Sequence, residues 1–294
     1  MKTIKGQTIN ELFYNTCKEV YEKPQFNTAP RGMLIKECIN TSLLLINPIN
    51  RIITFKERNL SLKYLVGELA FYLAGSNKLK FIKHYSRFWE KCSDDGKTVN
   101  SCYGKKLLHD INRHNITQFQ HALQQLIKDK DSRKSVMVIY DKHSADLNTK
   151  DNPCTLSLQF LIRKDYLYLI TTMRSNDIWR GLSYDIPFFT ILQEIMCVLL
   201  KNKYKNIKLG AYIHNVGSLH LYEKHFNNVK LLIDSNGLNK LSIKQLPHIT
   251  PDTLDELPLF LLYEEYLRKN NISKKPKKIP TDKFILTLIN WLTN

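Results

Sequence analysis

Residues 152–188 read NPCTLSLQFLIRKDYLYLITTMRSNDIWRGLSYDIPF, and the rest of the chain can be arranged around them. In residues 154–162, apolar side chains recur at every second position, a period that predicts a strand. A turn at 164–165 leads to a second predicted strand at 166–173. Four polar residues, 174–177, follow where that strand should end. Because sites are commonly built at strand ends, this stretch is the first candidate site.

The composition predicts a folded protein with an anionic partner. The chain has 294 residues, 43% of them hydrophobic, which is enough for a sizeable core. The formal net charge is +17, from 44 Lys and Arg against 27 Asp and Glu. A nucleotide, a nucleic acid and an acidic surface all suit that charge, so a basic nucleic-acid-binding protein without enzymatic activity is one interpretation.

The six cysteines show neither a CxxC pair nor a regular spacing, and the N-terminal sequence lacks the apolar core of a signal peptide. These features predict a reducing, cytoplasmic setting. No apolar run approaches the roughly 18 residues needed to span a membrane. The histidines have no accompanying cysteine or carboxylate pattern of zinc type, so no metal is expected.

Periodicity predicts further elements around the central stretch. Helices are expected at 8–22, 61–74, 116–128 and 188–200, and after Thr250. Strands are expected at 38–46, 135–140 and 208–213. Within the tail, only 269–280 resembles a flexible linker.

Glu68 lies in the middle of the apolar helix predicted at 61–74. Burying a carboxylate among apolar residues costs free energy unless the group is paired or protonated. Glu68 is therefore either hydrogen-bonded at a site or turned toward water, and periodicity leaves both possibilities open.

Other polar residues suit phosphate or sugar binding, although each has an ordinary structural alternative. Arg31 precedes a glycine in a loop, where a guanidinium could hold a phosphate or simply flank a surface turn. Arg133 and Lys134 precede a predicted strand, with a solvated loop as the alternative. His220 and Tyr222 could hydrogen-bond a sugar hydroxyl, or could be structural.

Taken in order, these motifs resemble those of thymidylate synthase and its relative deoxycytidylate hydroxymethylase, whose sequences contain ELLWFLRGDTN, VYGK, DSRR, PCH…QF, QRS.D and GD.H.Y.NH. The resemblance covers roughly residues 30–225, and the shared order makes it more specific than any single motif. The corresponding segments here are ELAFYLAGSN (68–77), FWEKCSDDGKTVNSCYGK (88–105), DSRK (131–134), NPCTLSLQF (152–160), RSND (174–177) and GSLHLYEKH (217–225).

The resemblance implies a mixed α/β (α+β) fold, in which helices pack on a large mixed β-sheet and two copies join through their sheets. It implies one catalytic domain over residues 1–294, with a divergent C-terminal region at 226–294. It also implies a pyrimidine nucleotide as substrate and 5,10-methylenetetrahydrofolate as co-substrate, without a metal.

The catalytic residues implied by the resemblance are Cys154, Glu68 and Asp185. A pyrimidine C5 is too weak a nucleophile to attack a folate methylene unaided, and addition of the Cys154 thiolate at C6 makes C5 nucleophilic. Glu68 would organise water and proton transfer at the base. Asp185 would contact the base directly.

The resemblance also assigns the binding residues. Arg133 would reach the site of the partner subunit. Lys134 stands where the family motif has a second arginine, and it keeps the positive charge but lacks the forked guanidinium. The substrate-binding set is Arg31, Arg133, Lys134, Gln159, Arg174, Ser175, Asp185, His220 and Tyr222. The folate-binding set is Trp89, Tyr103 and Asp177.

Asp185 departs from the thymidylate synthase pattern, which has asparagine eight residues after the RS.D aspartate. An asparagine amide pairs with N3–H and O4 of uracil, whereas a carboxylate accepts from the N4 amino group of cytosine. A carboxylate facing uracil O4 would set acceptor against acceptor, a mismatch of about 1–3 kcal/mol. Asp185 therefore favours a cytidylate substrate, unless it merely caps a helix starting near Pro187.

Other departures concern the fate of the transferred carbon. Thr155 follows the cysteine in place of histidine, Met173 replaces a glutamine, and Cys92 replaces a second tryptophan of the folate region. The tail also lacks the APVAI-like ending that closes over folate in the synthases. If that closure is altered, water can capture the exocyclic methylene and give a hydroxymethyl group.

The sequence thus predicts a deoxycytidylate 5-hydroxymethyltransferase that converts dCMP, methylenetetrahydrofolate and water to 5-hydroxymethyl-dCMP and tetrahydrofolate. The alternatives are a thymidylate synthase acting on dUMP, a CMP hydroxymethylase, and the nucleic-acid-binding protein suggested by charge. Hydroxymethylases of this type are associated with bacteriophages, so the expected location is the cytoplasm of an infected bacterium, with no membrane and no direct nucleic-acid partner.

Overall fold

The protein is described here by a computed structural model covering residues 2–142, 144, 149–270 and 276–293. Its strands are β1 (Lys2–Gly6), β2 (Phe26–Thr28), β3 (Ile35–Leu45), β4 (Val136–Val138), β5 (Thr155–Arg163), β6 (Tyr166–Asp177) and β7 (Lys208–Tyr222). Its α-helices are α1 (Ile9–Glu22), α2 (Leu62–Leu73), α3 (Leu79–Ile82), α4 (Gln118–Lys128), α5 (Leu182–Leu200), α6 (Phe226–Asp234), α7 (Pro251–Arg268) and α8 (Lys283–Thr293).

The strands form one mixed sheet in the order β1-β3-β7-β6-β5-β4, with β2 paired to β3. The β1–β3 and β6–β7 pairs are parallel, and the other pairs are antiparallel. The predicted turn between β5 and β6 is confirmed, because Lys164 and Asp165 have φ of 48° and 63°, as a two-residue hairpin turn requires. The predicted mixed α/β architecture with a large sheet is therefore correct.

Helix α5 packs as a core helix and begins earlier than its apolar run predicts. It starts at Leu182, six residues before the expected residue 188, and Pro187 lies inside it. Pro187 is the sixth helical residue and cannot donate to the Ser183 carbonyl, so the helix forms despite the loss of one backbone hydrogen bond. By length and composition α5 could cross a membrane, but 78% of its most apolar window is buried inside the protein.

Strands β6 and β7 run further than periodicity predicts, because each pairs with the other beyond its apolar part. The parallel register continues through Ser175 beside Ser218 and Asp177 beside His220. Ladder hydrogen bonds satisfy the backbone there whatever the side chains are. The polar residues 174–177 and 217–222 therefore belong to β6 and β7, where they lie side by side, and do not form loops after these strands.

The C-terminal helices pack against α2, the helix that contains Glu68. Thr250 caps α7 as the sequence predicts. The Tyr85 hydroxyl, in the segment after α3, donates to Oε1 of Glu264 on α7 at 2.6 Å. Part of the predicted linker at 269–280 lies outside the described residues.

Candidate active site

Cys154 is half-buried immediately before β5, opposite the polar end of β6. The Arg174 N–H donates to the Cys154 carbonyl at 2.8 Å. The Ser175 hydroxyl donates to the Cys154 Sγ at 3.8 Å. Burial raises the pKa of the Cys154 thiol, while the Arg174 charge and the Ser175 hydrogen bond act in the opposite direction. Both neighbours therefore favour the thiolate that nucleophilic attack needs.

The Arg174 side chain braces the segment that leads into Cys154. Its Nε donates to the Pro153 carbonyl and its Nη2 to the Asn152 carbonyl, each at 2.9 Å. Its Nη1 donates to the Ser175 hydroxyl at 3.3 Å. One exposed guanidinium thus orients the nucleophile segment and keeps a positive charge beside the thiol.

Asp151, which the sequence does not single out, fixes the same segment from the other side. Its Oδ2 accepts the backbone N–H groups of Asn100 and Ser101 at 2.7 and 2.8 Å. These bonds tie the loop after Trp89 to the residues before Cys154. The predicted folate-binding segment after Trp89 and the segment that leads into Cys154 are therefore joined by hydrogen bonds.

Glu68 is buried in α2 and hydrogen-bonded, which excludes the alternative that it turns toward water. The Tyr64 hydroxyl donates to its Oε1 at 2.7 Å, and the Trp89 indole donates to that hydroxyl at 3.1 Å. Burial raises the pKa of Glu68 to about 8, the charge of Asp185 raises it too, and the bonds from Tyr64 and Tyr72 lower it. At neutral pH Glu68 is a protonated acid with an ordered donor at one oxygen.

Asp185 lies in the first turn of α5, partly exposed, and it does not cap the helix. The helix begins after Gly181, where no side chain makes a capping bond. Asn176 Nδ2 donates to Asp185 Oδ2 at 2.7 Å. Burial raises the pKa of Asp185 to about 7, with the Asn176 bond lowering it and the Asp177 charge raising it. The alternative that Asp185 is only a helix cap is wrong.

Tyr103 lies between these groups. Its hydroxyl accepts the Thr155 N–H at 3.4 Å, and its ring stacks on Tyr72 with centroids 5.5 Å apart. Burial raises its pKa, and the charges of Cys154 and Asp185 raise it further. Because Asp185 also raises the pKa of both Cys154 and Glu68, the three predicted catalytic side chains form one electrostatically coupled cluster, the catalytic cluster below.

A second group, at the ends of β6 and β7, contains four of the predicted binding residues: Arg31, Asp177, His220 and Tyr222. Arg31, in the left-handed region with φ of 56°, donates to the Tyr222 hydroxyl at 3.4 Å. The His220 and Tyr222 rings meet edge to face at 5.1 Å. Burial raises the pKa of Asp177, and His220 offsets that rise.

Arg133, Lys134 and Gln159 are not brought to the catalytic cluster within one chain. Arg133 and Lys134 are exposed beside the edge strand β4. Gln159 Nε2 donates to the Arg133 carbonyl at 3.0 Å. Among the described contacts, none joins these three side chains to Cys154 or Asp185.

Sequence reasoning missed Tyr64 and Asn176. Tyr64 lies four residues before Glu68, so helical spacing alone places the two on one face. Asn176 is the unspecified position of the RS.D motif, and no local signal reveals its bond to Asp185. The described residues contain no group of three potential metal ligands among His, Cys, Asp and Glu.

The chain is similar in sequence to proteins of one known family. The sequence profile of the family described as Thymidylate synthase matches residues 12–273. Deoxyuridylate hydroxymethyltransferase of Bacillus phage SP01 is 29% identical over 280 residues, which are 92% of this chain and 69% of that protein. Thymidylate synthase 1 of Bacillus spizizenii is 23% identical over 178 residues, 58% of this chain and 62% of that protein.

A solved structure, thermostable thymidylate synthase A from Bacillus subtilis, superposes with a TM-score of 0.62 over 82% of this chain and 86% of that one, at 18% identity. This similarity supports the fold. The family match and the named relatives indicate a one-carbon transferase. The chain belongs to the thymidylate synthase family, which uses methylenetetrahydrofolate as co-substrate.

Proposed function

We propose that this protein is a deoxycytidylate 5-hydroxymethyltransferase. The reaction takes dCMP, 5,10-methylenetetrahydrofolate and water to 5-hydroxymethyl-dCMP and tetrahydrofolate. The observation that carries the proposal is the partly exposed Asp185 carboxylate, whose Oδ2 is occupied by Asn176 while Oδ1 remains for a base.

An ionised carboxylate only accepts hydrogen bonds. The cytosine N4 amino group donates, and so does N3 once protonated, so both match Asp185. Uracil O4 accepts, which leaves two facing acceptors and costs about 1–3 kcal/mol when buried. Cytosine is therefore the complementary base for the ionised form.

The remaining roles follow from the neighbours of each side chain. Cys154 adds to C6 as the thiolate favoured by Arg174 and Ser175. Glu68, protonated at neutral pH, supplies a proton near the base. Arg31 and Arg174 bind the phosphate, with Ser175.

His220 and Tyr222, adjacent on β7, hold the deoxyribose. Trp89, Tyr103 and Asp177 contact the folate. Trp89 is bonded to the Glu68 network through Tyr64, so folate binding and proton transfer share one set of contacts. The whole chain, 1–294, acts as one catalytic domain, in which α7 and α8 of the C-terminal region pack against α2.

A second copy of the chain completes the site in this proposal. The half-buried apolar residues on one sheet face, including Leu161, Ile170 and Ile213, suit a face-to-face homodimer. Arg133 and Lys134, exposed beside β4, would then reach the partner's phosphate site. Mixing inactive Arg133→Ala with inactive Cys154→Ala should restore activity, because a mixed dimer holds one intact site. No recovery after subunit exchange argues against the shared site.

Deoxyuridylate hydroxymethyl transfer is the second candidate. A relative carries that name, and burial raises the pKa of Asp185 to about 7. A protonated Asp185 offers both an O–H and a carbonyl, as an asparagine amide offers a donor and an acceptor. In that form it could face uracil. Both candidates transfer a hydroxymethyl group and differ in the base.

The test is tritium release from C5 of dCMP, CMP and dUMP with folate, followed by mass analysis of the products. We expect release from dCMP at pH 8 with a hydroxymethylated product, and complete loss in Cys154→Ala. Asp185→Asn should shift the preference toward dUMP. A methylated uracil product from dUMP would make the protein a thymidylate synthase, and dominant CMP turnover would assign a ribonucleotide substrate.

A further inference from the structure

A buried hydrogen-bonded chain lies behind Asp185 and joins β6 to β7. Asn176 Nδ2 donates to Asp185 Oδ2 at 2.7 Å, and Asn176 Oδ1 lies 3.1 Å from His214 Nε2. His214 Nδ1 lies 2.7 Å from the Tyr212 hydroxyl. Asn176 is 3% exposed, and His214 and Tyr212 are fully buried. Of the four, Asp185 alone is partly exposed, so the chain ends at the catalytic cluster.

When Asp185 is ionised, the direction of every bond in this chain follows from it. Burial lowers the pKa of His214 to about 3 and raises that of Tyr212, so both are neutral at working pH. An ionised Asp185 only accepts, so it takes the Asn176 amino group. The Asn176 oxygen then accepts from His214 Nε2–H, and His214 Nδ1 accepts from the Tyr212 hydroxyl. A flipped amide would face the Asp185 carboxylate with its oxygen, which sets two acceptors against each other. It would also face His214 Nε2–H with its amino group, which sets two donors against each other.

Gly181 leaves the space that the Asn176 amide occupies. A Cβ at this position would come within 2.7 Å of Asn176 Nδ2 and 3.3 Å of Asp185 Oδ2. The Gly181 backbone, with φ of −62° and ψ of −61°, suits any residue. The requirement for glycine is therefore space for the Asn176–Asp185 bond and not an unusual backbone conformation.

We propose that Asn176 is a specificity-determining positioning residue, which holds Oδ2 of Asp185 through the buried Asn176–His214–Tyr212 chain so that only Oδ1 reads the pyrimidine. This inference rests on the proposed function. Because Oδ2 already accepts from Asn176, a proton on Asp185 resides on Oδ1. Oδ1 is then an acceptor for cytosine N4–H when ionised and a donor to uracil O4 when protonated.

Base preference should accordingly depend on pH, with dCMP favoured as pH rises. The side chains whose charge acts on Asp185, or on which its charge acts, are Asp177, Glu68, Cys154, Tyr72, Tyr103 and Tyr212. Cys154 and Glu68 serve both substrates, so their titration largely cancels in the ratio of the two kcat/KM values. His214 stays neutral and adds no titration of its own.

The experiment measures kcat/KM for dCMP and dUMP from pH 6 to 9 in the wild type, Asn176→Ser and Gly181→Ala. Asn15→Ser is the matched control, because it removes an amide donor on α1 whose partner is the Lys5 carbonyl on β1. In the wild type the dCMP-to-dUMP ratio should rise with pH. In both Asn176→Ser and Gly181→Ala the dCMP-to-dUMP ratio of kcat/KM at pH 8 should fall at least about ten-fold. The midpoint of its pH dependence should move to higher pH, because the Asn176 bond lowers the pKa of Asp185.

The outcomes separate the inference from the proposed function. If the wild type turns over neither nucleotide, the proposed function fails. If the wild type is active but Asn176→Ser and Gly181→Ala keep its ratio and midpoint, Asn176 has only a structural role and the inference fails. Melting temperatures identify variants that do not fold, and Gly181→Ala, which retains the amide, provides the second measurement if Asn176→Ser unfolds.

Discussion

The Tyr64 hydroxyl donates a 2.7 Å hydrogen bond to Oε1 of Glu68 across one turn of α2. The bond favours the ionised form of Glu68 and therefore opposes the burial that raises its pKa to about 8. The hydroxyl also accepts from Trp89, so it cannot rotate freely. The acidity of Glu68 is thus set by a residue that need not touch the base.

Tyr64→Phe should move the alkaline limb of activity to higher pH. If Glu68 acts as an acid, activity falls as pH rises through its pKa, and loss of the Tyr64 bond raises that pKa further. A shift of about half a unit or more is expected in the pH profile of kcat/KM. Tyr204→Phe, which removes a hydroxyl donor to the Leu126 carbonyl, should leave the limb in place. An unchanged or lowered limb in Tyr64→Phe would contradict this role.

Glu68→Gln should stabilise the protein increasingly as pH rises from about 5 to 8. Burial raises the pKa of Glu68 from an ordinary value of 4.5 to about 8, so folding in this window requires uptake of a proton. That uptake destabilises the wild type by an amount growing to roughly 4 kcal/mol at pH 8, and glutamine does not incur it. Urea unfolding across this range measures the difference, with surface Glu90→Gln as control. A difference independent of pH would show that Glu68 is ionised when folded.

The sequence predicts those parts of the fold whose signals are local. Helices α1 and α2 fall within the predicted ranges 8–22 and 61–74, and Thr8 and Ser61 cap them. The β5–β6 hairpin follows from alternation on both sides of a polar pair. Glu68 is conspicuous because a carboxylate interrupts an apolar helix.

The missed features depend on contacts between distant segments. Arg174 to Asp177 remain extended because β7 pairs with them, and β7 begins more than thirty residues later. The bond between Asn176 and His214 spans 38 positions. The early start of α5 reflects burial of its first turn and overrides the proline signal. Asp185 was identifiable as unusual, but its partner was not.

Gly67→Ala should destabilise α2, contrary to the usual effect in a helix. Alanine is generally favoured over glycine in a helix interior by about 1 kcal/mol. Here a Cβ on Gly67 would lie 2.3 Å from the Tyr85 ring. Tyr85 is also anchored to α7 through Glu264, so the ring cannot easily withdraw. We expect a loss of about 1–3 kcal/mol in urea unfolding.

The matched control for Gly67→Ala is the same substitution in a Tyr85→Ala background. With the ring removed, the added methyl should be neutral or stabilising, so the double-mutant cycle should show strong coupling. Additive effects would mean that the ring moves aside at little cost, and that the C-terminal helices do not constrain the helix of Glu68.

Arg174→Gln should raise the pKa of the Cys154 thiol further. Burial already raises it, and the Arg174 charge is the largest opposing influence, followed by the Ser175 bond. Since only the thiolate reacts with iodoacetamide, alkylation of Cys154 at pH 8 should slow about three- to ten-fold, with its midpoint moved to higher pH. Peptide mass mapping distinguishes Cys154 from half-buried Cys92. Arg163→Gln, at the far end of β5, should leave the midpoint unchanged. Faster alkylation with an unchanged midpoint would instead indicate that Arg174 restricts access by bracing Asn152 and Pro153 and has no electrostatic effect on the thiol.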